Sequence, residues 1–170
     1  MSETTRTKQM RTTLLNHFNS WKDELSYVSL SKEVLCNKGQ CKCDLAGYEY
    51  QDNKPYASIG IEIKQSRGDF HSGCGLNFVF DVNYICVPSE LVGEAIIYLQ
   101  DHELSDVGII EYLGNNTVRL VKQPHYNLLY SQNRNNCIRN TNWFDNLHYT
   151  PHSAYSFNKK QKYKAWYEAI

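Results

Sequence analysis

Apolar positions in this chain follow two rhythms. One recurs every three or four residues, as on a helix face; the other recurs at every second residue, as on a strand. Residues 5 to 21 carry the first, with Met10, Leu14, Leu15, Phe18 and Trp21 forming one stripe. Arg6, Lys8 and Arg11 are read as lying off it, on a solvated face or in contact with phosphate. A strand is predicted over Ser26 to Leu35, and Asn37-Lys38-Gly39 then signals a turn. Over Gln40 to Ala46, Cys41, Cys43 and Leu45 alternate with Lys42 and Asp44. Tyr50 to Pro55 is a polar connection. Ile59, Ile61 and Ile63 then define one strand face, which leaves Gly60, Glu62 and Lys64 on the other.

Beyond Lys64 the chain is expected to leave the sheet, with Asp69 capping a following helix. Tyr84 to Val87 reads as a buried strand ended by Pro88, and Leu91 to Leu99 as a helix. Val107 to Tyr112 and Thr117 to Lys122 flank Gly114-Asn115-Asn116, a hairpin signal. The order helix, three strands, helix, strand, helix, two strands predicts an α/β fold. Its sheet is of mixed direction, with helices on both faces.

A length of 170 residues fits one domain with a self-sufficient core. Equal numbers of acidic and basic residues give zero formal charge, so any contact with nucleic acid must come from local patches. The last 46 residues differ in character. Arg134, Arg139, Lys159, Lys160, Lys162 and Lys164 against Asp145 and Glu168 make that segment +4. Residues 127 to 146 hold seven asparagines and no clear period. From Ser156 to Ile170, lysines interleave with Phe157, Tyr163, Trp166 and Tyr167, as in a docked terminal helix or a base-stacking surface. The expected organisation is therefore a core over residues 1–124 and a loop-rich aromatic and basic extension over 125–170, packed on the same domain. No secretory leader or membrane-spanning run is visible, which makes a cytoplasmic protein with no membrane partner the expectation.

Six cysteines do not form a zinc pattern: Cys41-x-Cys43 has the wrong spacing, no second pair follows, and Cys137 stands alone. Both residues of that pair are expected to face the interior, away from Asp44. The six histidines show no paired ligand spacing. The candidate chemistry lies with Asp44, Glu62 and Lys64. If the two strands pair, two carboxylates and an ammonium share one patch. A hard divalent cation such as Mg²⁺ relieves carboxylate repulsion while keeping several waters. A lysine beside it can orient a water, take a proton or stabilise developing charge. Glu33 offers either a third acid or an exposed strand-end charge.

The order Asp, then Glu-x-Lys on the next strand, resembles the PD-(D/E)XK nuclease superfamily. Gly39-Gln40-Cys41-Lys42-Cys43-Asp44-Leu45-Ala46, followed by Ile61-Glu62-Ile63-Lys64-Gln65-Ser66-Arg67-Gly68-Asp69-Phe70, resembles its MmcB-type DNA repair branch. Phe80-Asp81-Val82-Asn83-Tyr84-Ile85-Cys86-Val87-Pro88 and Val107-Gly108-Ile109-Ile110-Glu111-Tyr112 are similar to later strands of that branch. Two departures stand out. His71 to Asn77 replaces a charged and aromatic helix with a glycine-containing stretch, and Cys43 replaces the proline before the aspartate.

The resemblance implies a restriction-endonuclease-like core and a Mg²⁺- or Mn²⁺-dependent deoxyribonuclease, acting in DNA repair, recombination or defence against foreign DNA. It implies that Asp44, Glu62 and the Ile63 carbonyl hold the metal and that Lys64 serves the attacking water. Gln65, Ser66 and Arg67 would seat the phosphate of a DNA partner. A homodimer is compatible with this reading. The alternatives are a non-catalytic nucleic-acid-binding module on the same fold, or an interaction protein whose charged strand face is ordinary surface.

Overall fold

A computed structural model describes residues 4–20, 22, 26–36, 41–73, 76 and 78–125. The expectations placed on the turn at 37–39, on Trp21, Cys74 and Cys137, and on nearly all of the 125–170 extension lie outside these residues. In chain order the elements are α1 (Thr5–Ser20), β1 (Ser26–Cys36), β2 (Cys41–Gln51), β3 (Lys54–Ile63), α2 (Arg67–His71), β4 (Val82–Pro88), a 3₁₀ turn at Ser89–Leu91, α3 (Val92–Asp101), β5 (Gly108–Gly114) and β6 (Thr117–Lys122). The strands form one six-stranded sheet in the order β1-β2-β3-β4-β5-β6. β1, β2 and β3 pair antiparallel, β3, β4 and β5 pair parallel, and β6 returns antiparallel. The molecule is thus an α/β fold with a mixed sheet, as the element order predicts.

The alternation of side chains explains how the layers close. Ile59, Ile61 and Ile63 of β3 point to the same side as Leu45, Tyr84, Cys86 and Ile110, where α1 lays down Met10, Leu14 and Phe18. Ile85, Val87 and Ile109 point the other way, against Phe70, Leu91, Ala95 and Leu99 of α2, the 3₁₀ turn and α3. β4 is buried along its whole length, as a central parallel strand covered on both faces must be. Burying a Leu, Ile or Phe side chain contributes about 1.5–3 kcal/mol, so these two clusters are what hold the helices to the sheet.

Beneath β1–β3 a smaller cluster gathers Val34, Cys43, Ala46 and Phe80. Phe80 lies over Gly60, where a Cβ would stand 2.1 Å from the ring, so glycine is required. Two polar ties fix the approach to β4. Asp81 accepts from the Ser58 amide at 2.9 Å and the Ser58 hydroxyl at 2.8 Å. The Asn83 side chain bonds both the amide and the carbonyl of Phe80.

The polar connection expected over Tyr50 to Pro55 holds a turn, but it narrows to the two residues Asp52 and Asn53 of a tight hairpin. Asp52 and Asn53 take positive φ values of 52° and 58°, the geometry of a two-residue turn that lets the ladder run to Gln51 and resume at Lys54. The second hairpin falls on Gly114-Asn115-Asn116 as expected. After α2 the helix stops at His71, and Gly73 adopts φ +68°. No described helix is long and apolar enough to cross a membrane.

Candidate functional site

Because β2 runs antiparallel to β3, the start of one strand meets the end of the other. The ladder pairs Leu45 with Ile61, which leaves Asp44 beside Glu62 and Ile63 at the margin of the sheet. Asp44 Oδ2 accepts a hydrogen bond from the Ile63 amide at 2.8 Å. The Glu62 carboxyl lies within hydrogen-bonding reach of the Asp44 carboxyl. The two acids therefore converge on one point.

Their environments differ. Asp44 keeps 27% of its side chain exposed, while Glu62 is buried at 5%. Burial pushes the Glu62 carboxyl up to about 8, and the neighbouring Asp44 carboxylate pushes in the same direction. The Cys43 thiol and the Lys64 ammonium pull back without overcoming them. At neutral pH the pair accordingly carries fewer than two negative charges.

Lys64 is the third member. Its amide is held by the Cys86 carbonyl at 2.9 Å, which continues the parallel pairing of β3 with β4 one residue past the strand. Its side chain is only 4% exposed and faces Asp69 Oδ1 at 3.7 Å. Asp69 in turn accepts from the Gln65 amide at 3.2 Å. The expected cap is thus corrected in detail. Ser66 is the N-cap of α2, its hydroxyl accepting from the Asp69 amide at 3.2 Å, while the Asp69 carboxylate reaches past the cap to the Gln65 amide.

The three residues expected to seat a phosphate are engaged with partners inside the fold. The Gln65 side chain contacts the Thr4 hydroxyl. The Ser66 hydroxyl is engaged in the cap. The Arg67 guanidinium pairs with Glu94 of α3 at 2.9 Å, and His71 meets the same carboxylate. Each would have to exchange these partners to meet a ligand.

Two further residues lie at the site in settings other than those expected from the sequence. Arg11 is 8% exposed, not solvated. Its Nη2 lies 3.1 Å from Asp44 Oδ1 and its Nη1 lies 3.3 Å from Glu33 Oε1. The signal was present: Arg11 precedes Leu14, Leu15 and Phe18 by three, four and seven residues, on the edge of the apolar stripe. Cys43 is buried as expected but does not face away from the acids. Its thiol donates to the Leu45 carbonyl at 3.0 Å. Burial pushes that thiol up, with the Glu62 carboxylate adding to the effect. The reason is local: with the β2–β3 ladder ending at Leu45, Cys43 packs with Ala46 and Phe80.

Glu33 is exposed but lies inside β1, at the residue that the pairing with β2 skips, not at a strand end. It reaches Asp44 only through Arg11 and is also paired with Lys42 at 3.2 Å. Its φ of 55° puts a non-glycine residue in the left-handed region, a conformation costing on the order of 1 kcal/mol.

Among the described residues no group of three or more His, Cys, Asp or Glu is placed to hold a metal ion. Two convergent carboxyls, one of them open to solvent, fit Mg²⁺ or Mn²⁺. Mg²⁺ is commonly held by one or two carboxylates with water and substrate oxygens completing the shell.

No family model matches the chain, and no curated protein matches it. Among solved structures it is similar to a protein of unknown function from Silicibacter pomeroyi, at 16% identity and a TM-score of 0.44 over 59% of this chain and 62% of that one. The match thus spans less than two thirds of that neighbour's length.

Proposed function

We propose that this protein is a metal-dependent nuclease of the PD-(D/E)XK type, with a restriction-endonuclease-like core, that hydrolyses DNA phosphodiester bonds. The observation that carries the proposal is the meeting of Asp44 and Glu62, from two different strands, with a buried Lys64 beside them. A single exposed strand face would give alternating charge; it would not bury an acid against another acid. Such a placement costs stability and so points to use.

Asp44 and Glu62, with the Ile63 carbonyl, would hold a Mg²⁺ or Mn²⁺ ion. When bound, it would supply Lewis acidity toward a phosphoryl oxygen and lower the pKa of its own water. The rest falls to the chain. Asp44 is fixed by the Ile63 amide, so its carboxylate plane is set before substrate arrives. Lys64 is pinned to β4 by its amide, faces Asp69 and carries three donors on its ammonium. It would orient a water or stabilise charge on the phosphoryl group, and its burial strengthens either effect. The open side of Asp44 is the side from which a strand of DNA would enter.

The decisive assay is cleavage of single-stranded, duplex and branched DNA with Mg²⁺ or Mn²⁺, repeated with Asp44→Ala and Lys64→Ala. Each variant is expected to lose roughly a hundred-fold or more in rate. Undiminished cleavage in both variants rules out this site. Salt-sensitive DNA binding without turnover or metal dependence would favour the second reading, a non-catalytic nucleic-acid-binding module. Its support here is that Ser66 and Arg67 are already engaged within the fold.

A further inference from the structure

The Asp44 carboxylate already has a cation. Arg11 reaches it from α1 with a side chain only 10% exposed, and its second nitrogen grips Glu33. We propose that Arg11 is a built-in counter-ion standing in for a divalent cation at Asp44, so that metal and the N-terminal helix compete for one carboxylate. This rests on reading Asp44 and Glu62 as cation ligands.

The contacts of Asp44 are unequal. Oδ2 is bonded to a backbone amide of β3, which cannot swing away. Oδ1 is bonded to the end of a long flexible side chain, which can. Arg11 also has somewhere to remain: Glu33 holds its other nitrogen at 3.3 Å, so leaving Asp44 need not strand a buried guanidinium. The strained backbone of Glu33 holds that acid where α1 can meet it. The helix itself need not depart, because Met10, Leu14 and Phe18 anchor it in the core.

Coulomb's law sets the sign. A guanidinium and a dication sharing one carboxylate repel each other, and the low local dielectric magnifies the effect. Removing the arginine charge should therefore tighten metal binding. The opposing effect, loss of orientation at Asp44, is small because the Ile63 amide remains.

The test uses the full chain and manganese chloride, by titration calorimetry in low salt, on wild type, Arg11→Met, Arg11→Lys and Glu62→Gln. The Met variant is expected to bind Mn²⁺ roughly ten-fold or more tightly than wild type, with Lys close to wild type. Mn²⁺ should also raise the melting temperature of the Met variant by more than that of wild type. Equal or weaker binding by Arg11→Met, with wild-type binding abolished in Glu62→Gln, overturns this inference and leaves the cation site standing. No binding by any of the proteins overturns the cation site and the inference together. Should Arg11→Met fail to fold, hydrogen exchange on wild type decides. The Arg11 guanidinium N–H groups, released from Asp44, are expected to exchange faster once Mg²⁺ is added, and unchanged or slower exchange overturns the competition.

Discussion

Glu62→Gln is expected to make the metal-free protein more stable, not less. The substitution keeps the shape of the side chain and removes an ionisable group that sits 5% exposed against another acid. Burial, aided by Asp44, pushes this carboxyl from its ordinary 4.5 up to about 8. The folded protein therefore holds the Glu62 proton more tightly than the unfolded chain does. The contribution of protonated Glu62 to stability is complete below 4.5 and is lost progressively as pH rises to about 8. At about 1.4 kcal/mol for each pH step, wild type should trail the glutamine variant by about 3 kcal/mol at neutral pH. The deficit should approach about 5 kcal/mol in mild alkali. Urea denaturation of both proteins in chelator, from about pH 5 to about pH 9, reads the difference directly. It should open with rising pH and flatten above about 8. Two stability curves that stay parallel across that range would refute the claim that the fold buries Glu62 against Asp44.

Two other predictions concern what supports the site. Gly47→Ala would place a Cβ 1.9 Å from the Ser29 carbonyl oxygen of β1, a backbone atom that cannot yield without opening the β1–β2 ladder. A loss of about 3 kcal/mol is expected by thermal or urea unfolding, and a loss below about 0.5 kcal/mol contradicts the close approach. Ser58→Ala removes the hydroxyl that donates to Asp81 Oδ2 at 2.8 Å and accepts from the Asp81 amide at 3.0 Å, both buried. The expected cost is about 2 kcal/mol by the same measurement, and a neutral result would show that the tie between β3 and the start of β4 is dispensable.

Local chemistry was enough for the elements and their order. The stripe of Met10, Leu14 and Phe18 could only be a helix face, and the isoleucines of β3 could only be a buried strand face, because each period is fixed by backbone geometry. Gly114-Asn115-Asn116 announced its hairpin because few other residues accept three successive positive φ values. The placing of Glu62 and Lys64 opposite the isoleucines follows from the same alternation.

Three things needed the third dimension. Whether Asp44 meets Glu62 depends on strand register and direction, since a slip of one residue would turn the aspartate to the other face. The partners of Arg11 lie 22 and 33 residues further along the chain, so no local rule could pair them. The packing of Cys43 beside Glu62 arises where the β2–β3 ladder ends and regular alternation no longer binds. Periodicity in the sequence states which way a side chain leaves its own backbone; only the folding of distant segments onto one another decides what it finds there.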